Sequence, residues 1–186
     1  MSRIGKKPVQ IPDGVKVEIK KEEAKIIISG KNGSNTLNYE PDMVDIILQG
    51  NTITVQPKAN EKPHKARWGL YARLIKNALT GVVTPFTKQL EINGVGYTVS
   101  VSGSILHLTL GYSHGIAFVI PPEVKCQIKQ EKGKNPVIVL TSHDKYLVGE
   151  VAALIRKLRP VNVYSGKGIK YVDEVITLKE GKKAGK

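Results

Sequence analysis

Cys126 is the single cysteine in a chain of 186 residues, so no internal disulfide can form and a zinc site built on several thiolates is excluded. A reduced, intracellular setting is the simplest reading. Apolar runs are short as well. Runs such as Ile26-Ile27-Ile28 and Ile46-Ile47-Leu48 are far from the roughly eighteen residues that a membrane span needs. The opening from Met1 to Pro8 lacks the apolar core of a secretory signal, and no basic amphipathic helix carries a bulky insertion face, so no membrane partner is expected.

Catalytic patterns are missing too. The chain has no Gly-x-Ser-x-Gly elbow, no phosphate-cradling Walker loop and no promising Cys–His pair. Gly94-Val95-Gly96 lacks the third glycine and the following helix that would seat a pyrophosphate. The four histidines, His64, His107, His114 and His143, are scattered without i, i+4 pairing; His107 alternates with Leu106 and Leu108 and reads as the exposed side of a strand. Asp173 and Glu174 are adjacent, and on a strand they would point to opposite faces. No enzyme, cofactor, metal or small-molecule substrate is expected.

Acidic residues are scarce where basic ones gather. From Arg156 to Lys186 nine Lys and Arg stand against Asp173, Glu174 and Glu180, a surplus of six. Residues 1–82 carry the same surplus over a much longer span, and residues 83–155 are nearly balanced, within a net charge of +13. Charge so concentrated raises self-repulsion in a compact protein, and a polyanion relieves it. Nucleic acid is the partner class this placement points to.

What is present is a repeated pattern. Val15–Ile19 alternates apolar and polar residues, and Lys88–Ile92 does the same 73 positions later; at that offset Ala24–Gly30 also matches Tyr97–Gly103. Ile53-Thr54-Val55 matches Val137-Ile138-Val139 at an offset of 84. Each set leads into an amphipathic helix, marked by Tyr71, Leu74, Ile75, Ala78 and Leu79 in the first and Leu147, Val151, Leu154, Ile155 and Leu158 in the second. Both helices contain Gly-x-x-Ala-x-Leu-Ile-Lys/Arg, at Gly69 and Gly149; a helical glycine costs about 1 kcal/mol relative to alanine, so its recurrence suggests close packing. Gly/Asn turns such as Lys31–Ser34 and Gln49–Asn51 favour antiparallel pairing. The expectation is an α+β protein of two similar domains, each a short antiparallel sheet with one helix on one face. The first should span residues 1–82, with a basic N-terminal arm, and the second 83–175, with a basic tail over 176–186 whose lysine-rich end after Leu178 orders on a partner.

The segment Tyr164-Ser165-Gly166-Lys167-Gly168-Ile169-Lys170-Tyr171 follows the helix end Arg156-Lys157-Leu158-Arg159-Pro160. Pro160 stops the helix. Gly166 and Gly168 open backbone conformations closed to other residues and allow close approach to phosphates or sugars, Lys167 projects between them, and Tyr164 offers a stacking face. An ordinary glycine turn is the competing account; Tyr171 reads as a plain strand residue, and basic residues in a last helical turn also suit the helix dipole.

These stretches resemble the universal large-subunit ribosomal protein family called L-six, in its bacterial form. The resemblance rests on Ser2-Arg3-Ile4-Gly5-Lys6-Lys7-Pro8 with Ile11-Pro12, on Gly94-Val95-Gly96-Tyr97, and on Leu110-Gly111-Tyr112-Ser113-His114. It extends through Asn162–Ile169 to Tyr171-x-Asp173-Glu174 and covers the whole chain. Val161 departs from the small residue or proline of the family, and Ser165 stands where the family usually has lysine, which leaves Lys167 and Lys170 to carry a phosphate contact there. The resemblance implies two domains from a duplication, binding to large-subunit ribosomal RNA near the stalk base and factor-binding region with 83–175 as the main RNA-binding domain, neighbouring large-subunit ribosomal proteins as further partners, and no catalysis. It implies a cytoplasmic ribosome, an organellar one being the alternative; a free-standing regulatory or chaperone-like nucleic-acid binder is the competing function. The candidate RNA-binding residues are Arg3, Lys6, Lys7, Arg156, Lys157, Arg159, Tyr164, Gly166, Lys167, Gly168, Lys170, Lys179, Lys182, Lys183 and Lys186.

Phosphate contacts predict steep salt dependence. Six to ten of them on a duplex would lower affinity about a thousand- to a hundred-thousand-fold between about 50 and 200 mM salt. Filter binding to a matching ribosomal RNA fragment across that range checks it, and a flat profile would exclude the phosphate-contact account.

Overall fold

Short strands with one apolar face must bury that face against something, and here it is buried by helices and by neighbouring strands. The computed structural model describes residues 4–131 and 133–181. The chain forms two compact units. The first runs to Phe86 and includes His143–Lys145; the second takes Thr87–Ser142 and continues from Tyr146.

The first unit contains strands β1 (Val9–Gln10), β2 (Lys16–Lys20), β3 (Lys25–Gly30), β4 (Gly33–Asn38), β5 (Val44–Gln49) and β6 (Thr52–Pro57), followed by helix α1 (Lys62–Val83). They make two antiparallel three-stranded sheets, ordered β2-β3-β4 and β1-β6-β5. Gly50-Asn51 closes the β5–β6 hairpin, with Gly50 at φ +55°, a left-handed conformation that glycine adopts without a Cβ penalty. A proline in the first turn of α1 fits the fixed φ required there. The helix ends because Thr84, extended at φ −126° and ψ 108°, precedes Pro85, which disfavours the helical conformation before it. Ile26, Ile28, Val44, Ile46, Ile53 and Val55 from the sheets meet Tyr71, Ile75, Leu79 and Val82 of α1 in one core. Each fully buried aliphatic side chain contributes about 1.5–3 kcal/mol relative to exposure. Trp68 closes one side, donating from Nε1 to the Val55 carbonyl at 2.6 Å.

The second unit repeats this plan with β7 (Phe86–Asn93), β8 (Thr98–Ser102), β9 (Ile105–Thr109), β10 (Ile116–Val119), β11 (Lys125–Lys129), β12 (Val137–Ser142) and helix α2 (Lys145–Leu158), then adds β13 (Gly168–Tyr171). Its sheets are ordered β8-β9-β10 and β11-β12-β7-β13. The α+β fold of two similar parts thus holds, with the strands of each part divided between two sheets.

Topology also corrects the register of the repeat. By sheet position β2-β3-β4 corresponds to β8-β9-β10, and β1-β6-β5 to β7-β12-β11. Ile26 and Ile28, fully buried on β3, therefore match Leu106 and Leu108, buried on β9, eighty residues on. The helices keep the same spacing, with Ala72 and Ile75 matching buried Ala152 and Ile155. The 73-residue offset pairs β3 with β8, whose Val99 and Val101 are half-buried, and so slips by one strand. Two-residue alternation is shared by every half-buried strand and cannot itself choose between neighbours.

Two helix expectations change. The buried face of α2 is Val148, Val151, Ala152 and Ile155, and Leu154 is exposed. A Cβ added at Gly149 would meet nothing within 4 Å, so close packing does not account for that glycine.

Leu108→Ala should cost about 2–5 kcal/mol, as cavity-forming core substitutions do. Val101→Ala, on a half-buried position, should cost less. Urea denaturation of the two variants tests the strand equivalence, and the reverse order would restore the shorter offset.

Candidate nucleic-acid interface

Beyond α2 the chain makes a closed loop and returns as β13. Asn162 organises the loop. Its Oδ1 accepts the N–H groups of Tyr164 (2.8 Å) and Ser165 (3.3 Å), its carbonyl accepts from Gly166 (2.8 Å), and its own N–H donates to the Lys167 carbonyl (2.9 Å). The Asn93 amide donates to the Gly166 carbonyl at 3.0 Å and ties the loop to the end of β7. Gly166 lies at φ +70°. Gly168 lies at φ +141°, and a Cβ there would stand 2.7 Å from the Pro160 carbonyl oxygen and the Val161 Cα. Gly168 is buried, so its close approach is to its own chain; it shapes the loop without facing a partner. Ile169 then donates to the Arg159 carbonyl at 2.8 Å and pairs with Leu90–Asn93 through β13.

The chain beyond β13 doubles back over the loop. Asp173 and Glu174 lie in a turn past the strand, where the Glu174 N–H donates to the Tyr171 carbonyl at 3.0 Å. Leu178 lies beside Gly166, and the Lys179 N–H donates to the Val163 carbonyl at 2.9 Å. The expected tail is therefore hydrogen-bonded to the loop at Lys179.

The candidate cations divide into two groups. Arg156 makes a two-pronged pair with Glu174, Nε to Oε2 at 3.0 Å and a second contact from Nη2 to Oε1. Lys170 pairs with Glu91 at 3.2 Å. Both serve inside the unit, as does the Tyr171 ring, which has Lys88 Nζ at 5.4 Å and Arg156 Cζ at 5.8 Å from its centroid. Lys157, Lys167 and Lys179 are exposed, and none has an ion-pair partner among the described residues. Tyr164 is 62% exposed, which leaves most of its ring free to stack.

Motif reading missed the aromatic support around Arg159. Its guanidinium lies 4.4 Å from the Tyr112 ring centroid, and hydrogen bonds to the Tyr112 and Tyr97 hydroxyls push its pKa further up. Tyr112 Oη donates to the Leu158 carbonyl at 3.0 Å, and its ring stacks on His114 with centroids 5.8 Å apart. Tyr97 and Tyr112 lie in the two glycine-rich stretches Gly94–Tyr97 and Gly111–Gly115, which was the available signal.

Lys6 and Lys7 belong to the first unit and are exposed. Arg3, Lys182, Lys183 and Lys186 lie outside the described residues. Burial pushes the Cys126 thiol up to about 11, so it is protonated and unreactive at neutral pH. Among the described residues no three His, Cys, Asp or Glu could hold a metal, and no helix is long and apolar enough to cross a membrane.

A duplicated α+β protein with a braced loop that displays cations is the class these features define. Comparison with known proteins makes it specific: the family model described as Ribosomal protein L6 matches residues 11–84 and 93–172, one segment in each repeat. The chain is similar to the large ribosomal subunit protein uL6 of Amoebophilus asiaticus, 47% identical over 186 residues and all of both chains. It is similarly close to that of Flavobacterium johnsoniae, 47% identical over 184 residues and 99% of this chain and all of the relative. That of Nitratiruptor sp. is 48% identical over 187 residues and all of both chains. The chain belongs to the ribosomal protein L6 family, whose members are structural, non-enzymatic components.

The Arg156–Glu174 brace predicts a pH effect of known sign. Hydrogen bonding from Arg156 holds the Glu174 carboxyl below the usual carboxylate range. Since the folded-state value is depressed, the stabilisation is complete above the unfolded value of about 4.3 and is lost as pH falls through the folded value. The thermal-stability advantage of wild type over Glu174→Gln should be largest near pH 6 and shrink toward pH 3. An advantage that stays constant across that range would remove the pair as its cause.

Proposed function

We propose that the protein is a structural component of the large ribosomal subunit and binds large-subunit ribosomal RNA near the stalk base and factor-binding region. Neighbouring large-subunit proteins are its further partners, and the second unit makes the principal RNA contacts. Membership of the family supports the ribosomal assignment, as do relatives that carry the name of large-subunit proteins along their whole length. One observation carries the RNA contact: the nearby carboxylates Glu91 and Glu174 are occupied by Lys170 and Arg156, while Lys167 on the braced loop, Lys157 at the end of α2 and Lys179 in the segment that returns over the loop are exposed with no ion-pair partner among the described residues. A fixed loop loses little further conformational entropy on binding, so its cations act as positioned phosphate ligands. Lys167 acts as the central contact, Lys157 and Lys179 flank it, and Arg159 with its tyrosines offers a flat cationic face to a ribose or base.

Lys167→Ala should weaken cognate RNA more than a scrambled sequence and reduce the salt slope by about 1. Deleting residues 180–186 should weaken both RNAs about equally, since that stretch adds diffuse charge. Binding measured on matched and scrambled RNA at one salt concentration decides between them. A Lys167→Ala protein equal to wild type, beside a tail deletion that abolishes cognate binding, would transfer the contact from loop to tail.

A further inference from the structure

Helix α1 is 22 residues long and contains Lys62, Lys65, Arg67, Arg73 and Lys76 with no Asp or Glu. Arg67 is committed to Glu40 at 3.1 Å. The others have no ion-pair partner among the described residues, and steps of three and four residues set Lys62, Lys65, Arg73 and Lys76 on the side opposite the buried Tyr71, Ile75 and Val82. Helix stability does not explain this choice. Lys62 and Lys65 occupy the first turn, where the helix dipole favours acids, and the N-cap has no side-chain hydrogen bond.

A groove of about 690 Å³ runs beside this face, walled on its other side by the N-terminal arm. Lys7, Arg73 and Lys76 project into its lining, Ile4, Pro8 and Val9 supply apolar surface, and no acidic residue lines it among the described residues. The arm is seated: Gly5 is buried so close to Trp68 that a Cβ would fall 2.6 Å from the indole, and β1 pairs with β6 immediately afterwards. Lys7 is therefore held across from Arg73 and Lys76.

We infer that this groove is a second RNA site, taking the sugar-phosphate backbone of one strand with its phosphates on Lys7, Arg73 and Lys76 and its riboses over Ile4 and Val9. The inference rests on the ribosomal RNA reading above and goes beyond it, because it gives the first unit an RNA contact of its own. Three cations lining one groove without a counter-charge repel one another, and a polyanion converts that repulsion into binding.

The test uses the full-length protein and a complete bacterial large-subunit ribosomal RNA transcript. Arg73→Gln with Lys76→Gln should make the slope of log affinity against log salt shallower by about 1.8, at about 0.9 per phosphate on a duplex, while Arg73→Lys keeps the wild-type slope. An unchanged slope in the double variant, beside a reduced one in Lys167→Ala, would overturn the groove and leave the second-unit contact standing. Wild-type protein that fails to bind the transcript would remove both. A double variant that binds RNA normally but is excluded from reconstituted subunits would give the groove to an acidic protein surface and overturn the RNA assignment. Should the double variant lose its thermal transition, a benzophenone side chain in place of Thr80, which also lines the groove, supplies the readout: photo-adducts with RNA in assembled subunits support the site, and their absence overturns it.

Discussion

The passage of Gly168 under Pro160 and Val161 is the constraint on which the second unit's display surface depends. With a Cβ position 2.7 Å from backbone atoms, no other residue can occupy it without moving the chain on one side or the other. That crossing lets Ile169 reach the Arg159 carbonyl and enter β13 in register with Ile92. The loop above it is then closed chiefly through Asn162, with Asn93 as its tether. Lys167 owes its fixed outward position to these neighbours, because its own main chain is held at both ends.

Electrostatics divides the labour among cations that sequence alone makes look equivalent. Arg156 and Lys170 hold the terminal strap and the β7–β13 edge, each against a partly buried carboxylate. Exposed pairs are worth little individually, but a two-pronged Arg–carboxylate contact also fixes geometry. Here it leads the chain back over the loop, where Lys179 meets Val163. Glu91 and Glu174 are thereby consumed, and Lys157, Lys167 and Lys179 stay exposed with no ion-pair partner among the described residues.

Much of this was legible in the residues. Alternation located strands in both halves, Pro160 marked the end of the second helix, and the shared helix motif revealed the duplication at its true spacing of eighty. The strands gave a different spacing because Val99 and Val101 satisfy the same alternation as Leu106 and Leu108, and only pairing shows which pair is buried. The Gly-Lys-Gly segment was visible as a backbone special case, but its physical reason was not. Whether a glycine faces a partner or its own chain depends on Pro160 and Val161 being folded back against it, which no local pattern encodes. The ion pairs of Arg156 and Lys170 were hidden for the same reason: their partners stand eighteen and seventy-nine positions away.

The pairing of β13 with β7 joins residues at opposite ends of the second unit, Tyr171 against Leu90 and Gly168 against Asn93. In vectorial synthesis β7 through α2 emerge while their fourth strand is still being made. The loop has no tether until Asn93 and Gly166 are both free of the tunnel, and no floor until Ile169 follows. The cationic surface is thus the last part of the unit to take shape. A nascent chain arrested before Ile169 carries Lys157 and Lys167 without their arrangement and has yet to gain Lys179.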